Sequence, residues 1–141
     1  MIRFSIAAAL FALSLPAAAP AAPLRVDLNG LRSGGTLYVQ LQTRDQFLGA
    51  ARTAGRVVQA PEAGSLGVDL GDVPAGDYAV TVWHDDNGNR QFDVEPQTGR
   101  PLDGIAGPHI ETLRGRPTFD QVKVAVPAEG LALPLALRYG R

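Results

Sequence analysis

Apolar residues recur at alternate positions in a series of short runs, and no stretch of the chain keeps a helical period. Asp77 to Trp83 is the clearest run: Tyr78, Val80 and Val82 fall on one face, Ala79, Thr81 and Trp83 on the other. Leu24–Leu28, Thr36–Thr43 and Ser65–Leu70 repeat the pattern, with Leu37, Val39 and Leu41, then Leu66, Val68 and Leu70, directed inward. In the second of these runs Tyr38, Gln40 and Gln42 are expected to face solvent. Arg56–Ala60 reads as a short strand stopped by Pro61. Phe119–Val126, with Val122, Val124 and Val126 inward, and Leu131–Tyr139, with Leu133, Leu135 and Leu137 inward, read as the last two strands. Pro134 cannot donate to a ladder, which places that final strand at an edge or a bulge. Arg44–Gly55 is less patterned, with a loop or short helix near Gln46–Ala51 and with Phe47 and Leu48 plugging one end of the core. Short runs punctuated by Gly and Pro specify an all-β fold, an antiparallel Greek-key β-sandwich of about seven strands.

The N-terminus has a different character. Arg3, the apolar run Ile6–Leu15 and the small residues up to Ala22 form the pattern of a signal peptide, residues 1–21, with cleavage expected after Ala21. The apolar run is too short for a permanent transmembrane anchor. A single sandwich domain, residues 22–141, follows, and its expected location is periplasmic or secreted. The chain has no cysteine, which excludes a lipid-anchored Cys, disulfides, thiolate metal sites and Cys nucleophiles. Without Arg3 the charge balance is 13 − 1 = 12 basic against 14 acidic residues, a net of −2, which is no footprint for nucleic acid. Aromatic residues make up 6%, too few for a single-strand stacking platform.

Between Asp85 and Thr118 the alternation stops, and connections of such length are usually functional or mobile. Asp85, Asn87, Asn89 and Asp93 stand at relative positions 1, 3, 5 and 9 of this segment, with the Gln91 carbonyl at position 7. That spacing suits a hard cation, because alternate side chains turn inward and supply oxygen. Calcium takes six to eight oxygens at about 2.3–2.6 Å, and this segment offers about five, so Glu95 or Asp103 would complete the set with water. Ca2+ is therefore the candidate cofactor, with Asp85, Asn87, Asn89, Gln91, Asp93 and Asp103 as candidate ligands and with weak affinity. The alternative is a polar turn whose Asx side chains bond their own backbone. His84 and His109 could join Asp85 or Asp103 in a zinc or copper site, but two histidines twenty-five positions apart fit better as a residue closing the sandwich end and a loop residue. No Gly-x-Ser-x-Gly elbow occurs, and Asp85 and Asp93 share one loop with nothing to separate their proton affinities, so catalysis is not expected. Trp83 faces outward beside the loop, either to stack on a sugar or partner or to cover the sheet.

Four motifs occur in order: Asp72-Val73-Pro74-Ala75-Gly76-Asp77-Tyr78, then His84-Asp85-Asp86-Asn87-Gly88-Asn89 with Phe92-Asp93, then Gly99-Arg100-Pro101-Leu102-Asp103-Gly104, then Gly115-Arg116-Pro117-Thr118-Phe119-Asp120. The first resembles the Pro-Gly-Tyr turn and strand of transthyretin-like sandwiches. Together, over residues 24–139, they resemble an exported bacterial family known only as domain of unknown function 2141. The resemblance implies an exported immunoglobulin-like or transthyretin-like sandwich and no agreed activity. This chain departs from the family pattern at Arg90, where the family usually has Gly, and at Asp103, where it tends to have Glu. Sequence alone thus points to an exported non-catalytic binding module with a weak Ca2+ loop at 85–103. The alternative is an envelope scaffold or adhesion module without metal that uses the exposed sheet face around Tyr38, Gln40 and Trp83, or an open sheet edge, with an envelope protein or glycan as partner.

Overall fold

The computed structural model describes residues 20–140. The segment read as a signal peptide lies almost wholly outside the described residues. Eight strands build two sheets: β1 Ala21–Leu31, β2 Thr36–Gln42, β3 Ala54–Gln59, β4 Gly64–Pro74, β5 Gly76–Asp85, β6 Gly104–Ala106, β7 Lys123–Val126 and β8 Leu131–Ala136. One sheet runs β4-β1-β8; the other runs β3-β2-β5-β6, with β7 also on β5. Among the described residues no helix is long and apolar enough to cross a membrane.

The alternation read in the sequence becomes the core. Leu24, Val26 and Leu28 of β1, Leu37, Val39 and Leu41 of β2, and Val80 and Val82 of β5 are all buried between the sheets with Val68 and Leu70. Each such side chain stabilises the fold by about 1.5–3 kcal/mol relative to exposure. The Pro74-Ala75-Gly76 turn is closed by Tyr78, whose hydroxyl donates to the Pro74 carbonyl at 2.9 Å.

Several elements differ from expectation. The sandwich is not wholly antiparallel: β8 runs parallel to β1, from Leu24↔Leu131 to Asn29↔Ala136. As an edge strand β8 accommodates Pro134, whose missing N–H costs no ladder bond on its open side. The long connection contains β6, which pairs with β5 at Val82↔Ala106 and His84↔Gly104. Three residues hold too little alternation to be read locally. Phe119 to Val122 form a helical turn, α1, before β7 begins. Gln121 Oε1 accepts the Thr118 N–H at 2.9 Å, a capping arrangement that overrides the strand-like pattern. Gln42 is buried rather than solvent-facing: its amide nitrogen lies 3.0, 3.0 and 2.9 Å from the carbonyls of Gln46, Gly49 and Ala51, so it organises that loop. Phe47 packs edge-on against Phe119 at 5.8 Å in a small cluster separate from the main core, while Leu48 is exposed.

Candidate functional site

Where β5 leaves the sheet it carries His84 and Asp85 to one end of the sandwich, and the residue before β6, Asp103, joins them there. Among the described residues the buried polar side chains are Gln42, His84, Asp85 and Asp103, and the last three gather here. Burial of such groups is tolerated only when their hydrogen bonds are made. Each one is satisfied.

His84 closes the end of the core. Its Nε2 lies 2.8 Å from the Gly34 carbonyl, which can only accept, so Nε2 carries the proton. Nδ1 is then the acceptor for the Tyr139 hydroxyl at 2.6 Å, and that same hydroxyl oxygen accepts the Arg32 N–H at 3.1 Å. Partial burial raises the Tyr139 hydroxyl above the usual phenol range, which keeps it a donor. The Arg32 guanidinium lies 4.1 Å from the Tyr139 ring centroid and pairs with Asp86 at 3.0 Å. Two glycines make this closure fit: a Cβ at Gly35 would strike the Asp85 carbonyl, and one at Gly104 would strike the Tyr139 ring. With both ring nitrogens committed, His84 is structural. His109 is exposed in a left-handed residue before a 3-10 turn.

Asp85 organises the loop that follows. Its Oδ1 accepts the N–H of Gly88 at 2.8 Å and of Asn89 at 3.2 Å, and Oδ2 accepts that of Arg90 at 2.8 Å. Two further Asx turns follow: Asn87 Oδ1 accepts the Asn89 N–H at 2.9 Å, and Asn89 Oδ1 accepts the Gln91 N–H at 2.8 Å. This succession curls the backbone so that alternate side chains meet. Asn87 and Asn89 each donate an amide N–H to the same oxygen of Asp93, at 2.7 and 2.8 Å. Arg90 takes φ = 63°, the left-handed conformation that glycine adopts at no steric cost, at a cost of about 1–2 kcal/mol for a side chain.

Past Asp93 the chain makes a small hairpin. Val94 bridges Pro101, Glu95 N–H donates to the Arg100 carbonyl at 2.8 Å, and Leu102 N–H donates to the Asp93 carbonyl at 2.8 Å. The hairpin returns Asp103 to the loop, where its Oδ2 accepts the Asp93 N–H at 3.1 Å and the Trp83 indole N–H at 2.8 Å. The side chains of Asn87, Asn89 and Asp93 are thus brought together, Asp85 holds the loop backbone from which they project, and Asp103 braces Asp93 through the backbone. Among the described residues no three His, Asp or Glu side chains form a metal-spaced group, so any cation here would depend on amide and carbonyl oxygens as well.

The same bond to Asp103 fixes Trp83, which the sequence places on an exposed face with Tyr38 and Gln40. Trp83 stacks on Tyr38 directly across the β2–β5 ladder, with ring centroids 4.7 Å apart and planes 13° from parallel, and Phe92 of the loop meets it edge-on at 6.2 Å. Both outward positions were legible; their register, which makes them neighbours, was not.

A family model described as "uncharacterized protein conserved in bacteria (DUF2141)" matches residues 26–132, from β1 into β8. No curated protein and no solved structure matches the chain.

Proposed function

The chain belongs to the uncharacterized bacterial family DUF2141, and on that premise we propose that it is an exported, non-catalytic binding module whose 85–103 loop is steadied by a weakly held Ca2+ ion. The observation that carries this reading is the convergence of Asn87 and Asn89 on one oxygen of Asp93 within a loop curled by Asp85. An sp2 oxygen has two lone pairs, and Asp85 Oδ2, Asn87 Oδ1 and Asn89 Oδ1 each accept one N–H from the loop backbone. Each keeps capacity for a cation. With the Gln91 carbonyl and Asp93 they offer about five protein oxygens, to which water would add. Asp103 serves this set by holding the Asp93 backbone.

Two features set the affinity low. A cation would compete with two amide N–H groups for Asp93, and Arg90 brings strain and a positive charge to the turn. A dissociation constant on the order of 10⁻⁴–10⁻³ M fits an extracellular module of this kind. Export is supported by the N-terminal sequence pattern of Arg3, the run Ile6–Leu15 and the small residues after it. Thermal melting tests the ion. About 10 mM Ca2+ raises the melting temperature of the wild type and leaves Asp85→Ala unchanged; an unmoved wild-type midpoint would remove calcium from the account.

A second reading has its own support: the hydrogen bonds of the loop close without an ion, since Asp93 is already met by two amides. In that case the module is an envelope scaffold or adhesion protein that engages a partner through its outer sheet face. Partner capture unaffected by a chelator, together with a calcium-insensitive midpoint, would select it.

A further inference from the structure

The outer face of the five-stranded sheet is covered at both ends and open between them. At one end Phe119 and Val122 lie over Ala79; at the other Phe92 meets Trp83. Between them lies a hollow of about 470 Å³ bordered by Gln40, Thr81, Leu48 and the rings of Trp83 and Phe92. It continues past the Tyr38–Trp83 stack into a second hollow of about 330 Å³ that adds Arg52 and Arg56. Tyr38, Gln40 and Trp83 border both, so the two form one groove running across the strands.

The lining has a definite chemistry. Gln40 and Thr81 are direct cross-strand partners and present an amide and a hydroxyl side by side. Tyr38 gives one ring face to Trp83, and neither Arg52 nor Arg56 lies over its other face. Gly55 pairs with Gln40 on β3, and a Cβ there would meet Arg52 Cδ at 2.9 Å, so the missing side chain is what lets Arg52 lie across the sheet. Arg56, rooted opposite Val39 on the edge strand β3, donates its side chain only to the neighbouring Gly55 carbonyl, at 3.2 Å, and among the described residues neither guanidinium has a carboxylate within ion-pair distance. Two exposed guanidiniums beside an aromatic ring and an amide–hydroxyl pair match a ring that carries hydroxyls and a carboxylate.

We propose that this groove binds an acidic saccharide of the uronic-acid type, with the sugar ring against Tyr38 and Trp83, its hydroxyls on Gln40 and Thr81, and its carboxylate on Arg52 and Arg56. This names the ligand class for the binding-module reading and rests on that reading, but not on the ion. A peptide adding to the sheet would use an edge strand, whereas this groove crosses β3, β2 and β5 on their face. The acidic net charge of the chain disfavours long polyanions such as nucleic acid, while two local cations suit a carboxylated sugar.

The chain has one tryptophan, and it lines the groove, so its fluorescence reports occupancy. The purified protein is titrated with trigalacturonate, with its methyl ester and with a nucleoside monophosphate, all in EDTA. The expected result is saturable quenching by the acid, about tenfold weaker binding of the ester, and about tenfold loss for Arg52→Ala/Arg56→Ala with no change in melting temperature. Equal binding of acid and ester, no binding of trigalacturonate to about 10 mM, stronger binding of the nucleotide, or an unaffected double variant would each overturn the proposal. Because EDTA is present throughout, saccharide binding by a protein with no calcium response retires the ion and leaves the groove, and the converse result retires the groove alone.

Discussion

The two covers on the outer face of β5 are held by opposite means. Over Ala79 the cover is apolar: Phe119 and Val122 from α1, with Phe47 and Leu113 beside them. Over Trp83 it is a polar loop, held by Asp85, Asn87, Asn89, Asp93 and Asp103, with Phe92 as its one ring on the indole. Removing surface from water stabilises the first, in proportion to area and with little dependence on ions. The second depends on carboxylates that compensate buried or crowded N–H groups, so its stability answers to single-atom changes. One strand thus carries an apolar seal and a polar one on either side of an open groove.

Truncating the seal gives the largest expected effect. Phe119→Ala lowers unfolding free energy by about 3–5 kcal/mol in denaturant titration and leaves any calcium response intact. Loss of that response would mean the two ends are coupled, contrary to the comparison. Asp85→Ala comes next, at about 2 kcal/mol, because the N–H groups of Gly88, Asn89 and Arg90 lose their acceptor. Its amide protons at those three residues should exchange faster, while those of α1 stay protected. For the wild type at ten times the dissociation constant, calcium adds about 1.4 kcal/mol, read as a rise of several degrees in melting temperature.

Arg90→Gly sharpens the comparison from the other side. Relief of the left-handed strain outweighs the extra freedom of glycine in the unfolded chain, for a net gain of at most about 1 kcal/mol. The same change removes a positive charge from the loop, so calcium affinity rises. The smallest effect belongs to the apolar end. The Arg44 guanidinium, bonded to both Asp120 oxygens, holds that carboxyl below its usual value of 3.8. A depressed folded value stabilises the protein above pH 3.8, and that contribution is lost as pH falls through the depressed value. Both groups are exposed, so Asp120→Asn lowers the midpoint only slightly at neutral pH, and the two melting curves converge in acid.

The same contrast explains what could be read from the sequence. The apolar core was legible because alternation is local: Leu37, Val39 and Leu41 need only their own spacing to declare a buried face. The polar turn at Asp85, Asn87, Asn89 and Asp93 was legible for a similar reason, since Asx side chains bond backbone two to five residues on. Contacts that depend on register were hidden. The sequence puts Tyr38 and Trp83 on one exposed face but does not stack them, nor does it join Tyr139 to His84 or Asp103 to the indole of Trp83, because those pairs are set by which strands become neighbours. The parallel pairing of β8 with β1 was hidden for that reason too. The turn at α1 was the exception: Thr118 and Gln121 stand at capping-box spacing and could have been read.

The most direct measurement is an amide-resolved NMR titration of the wild-type protein with calcium. The account predicts that resonances of residues 85–93 and the indole N–H of Trp83 move progressively and saturate near millimolar calcium, on the order of the expected constant, while those of residues 119–122 stay in place. No movement in the loop to about 10 mM, or movement spread equally over both ends of the sheet, would contradict it.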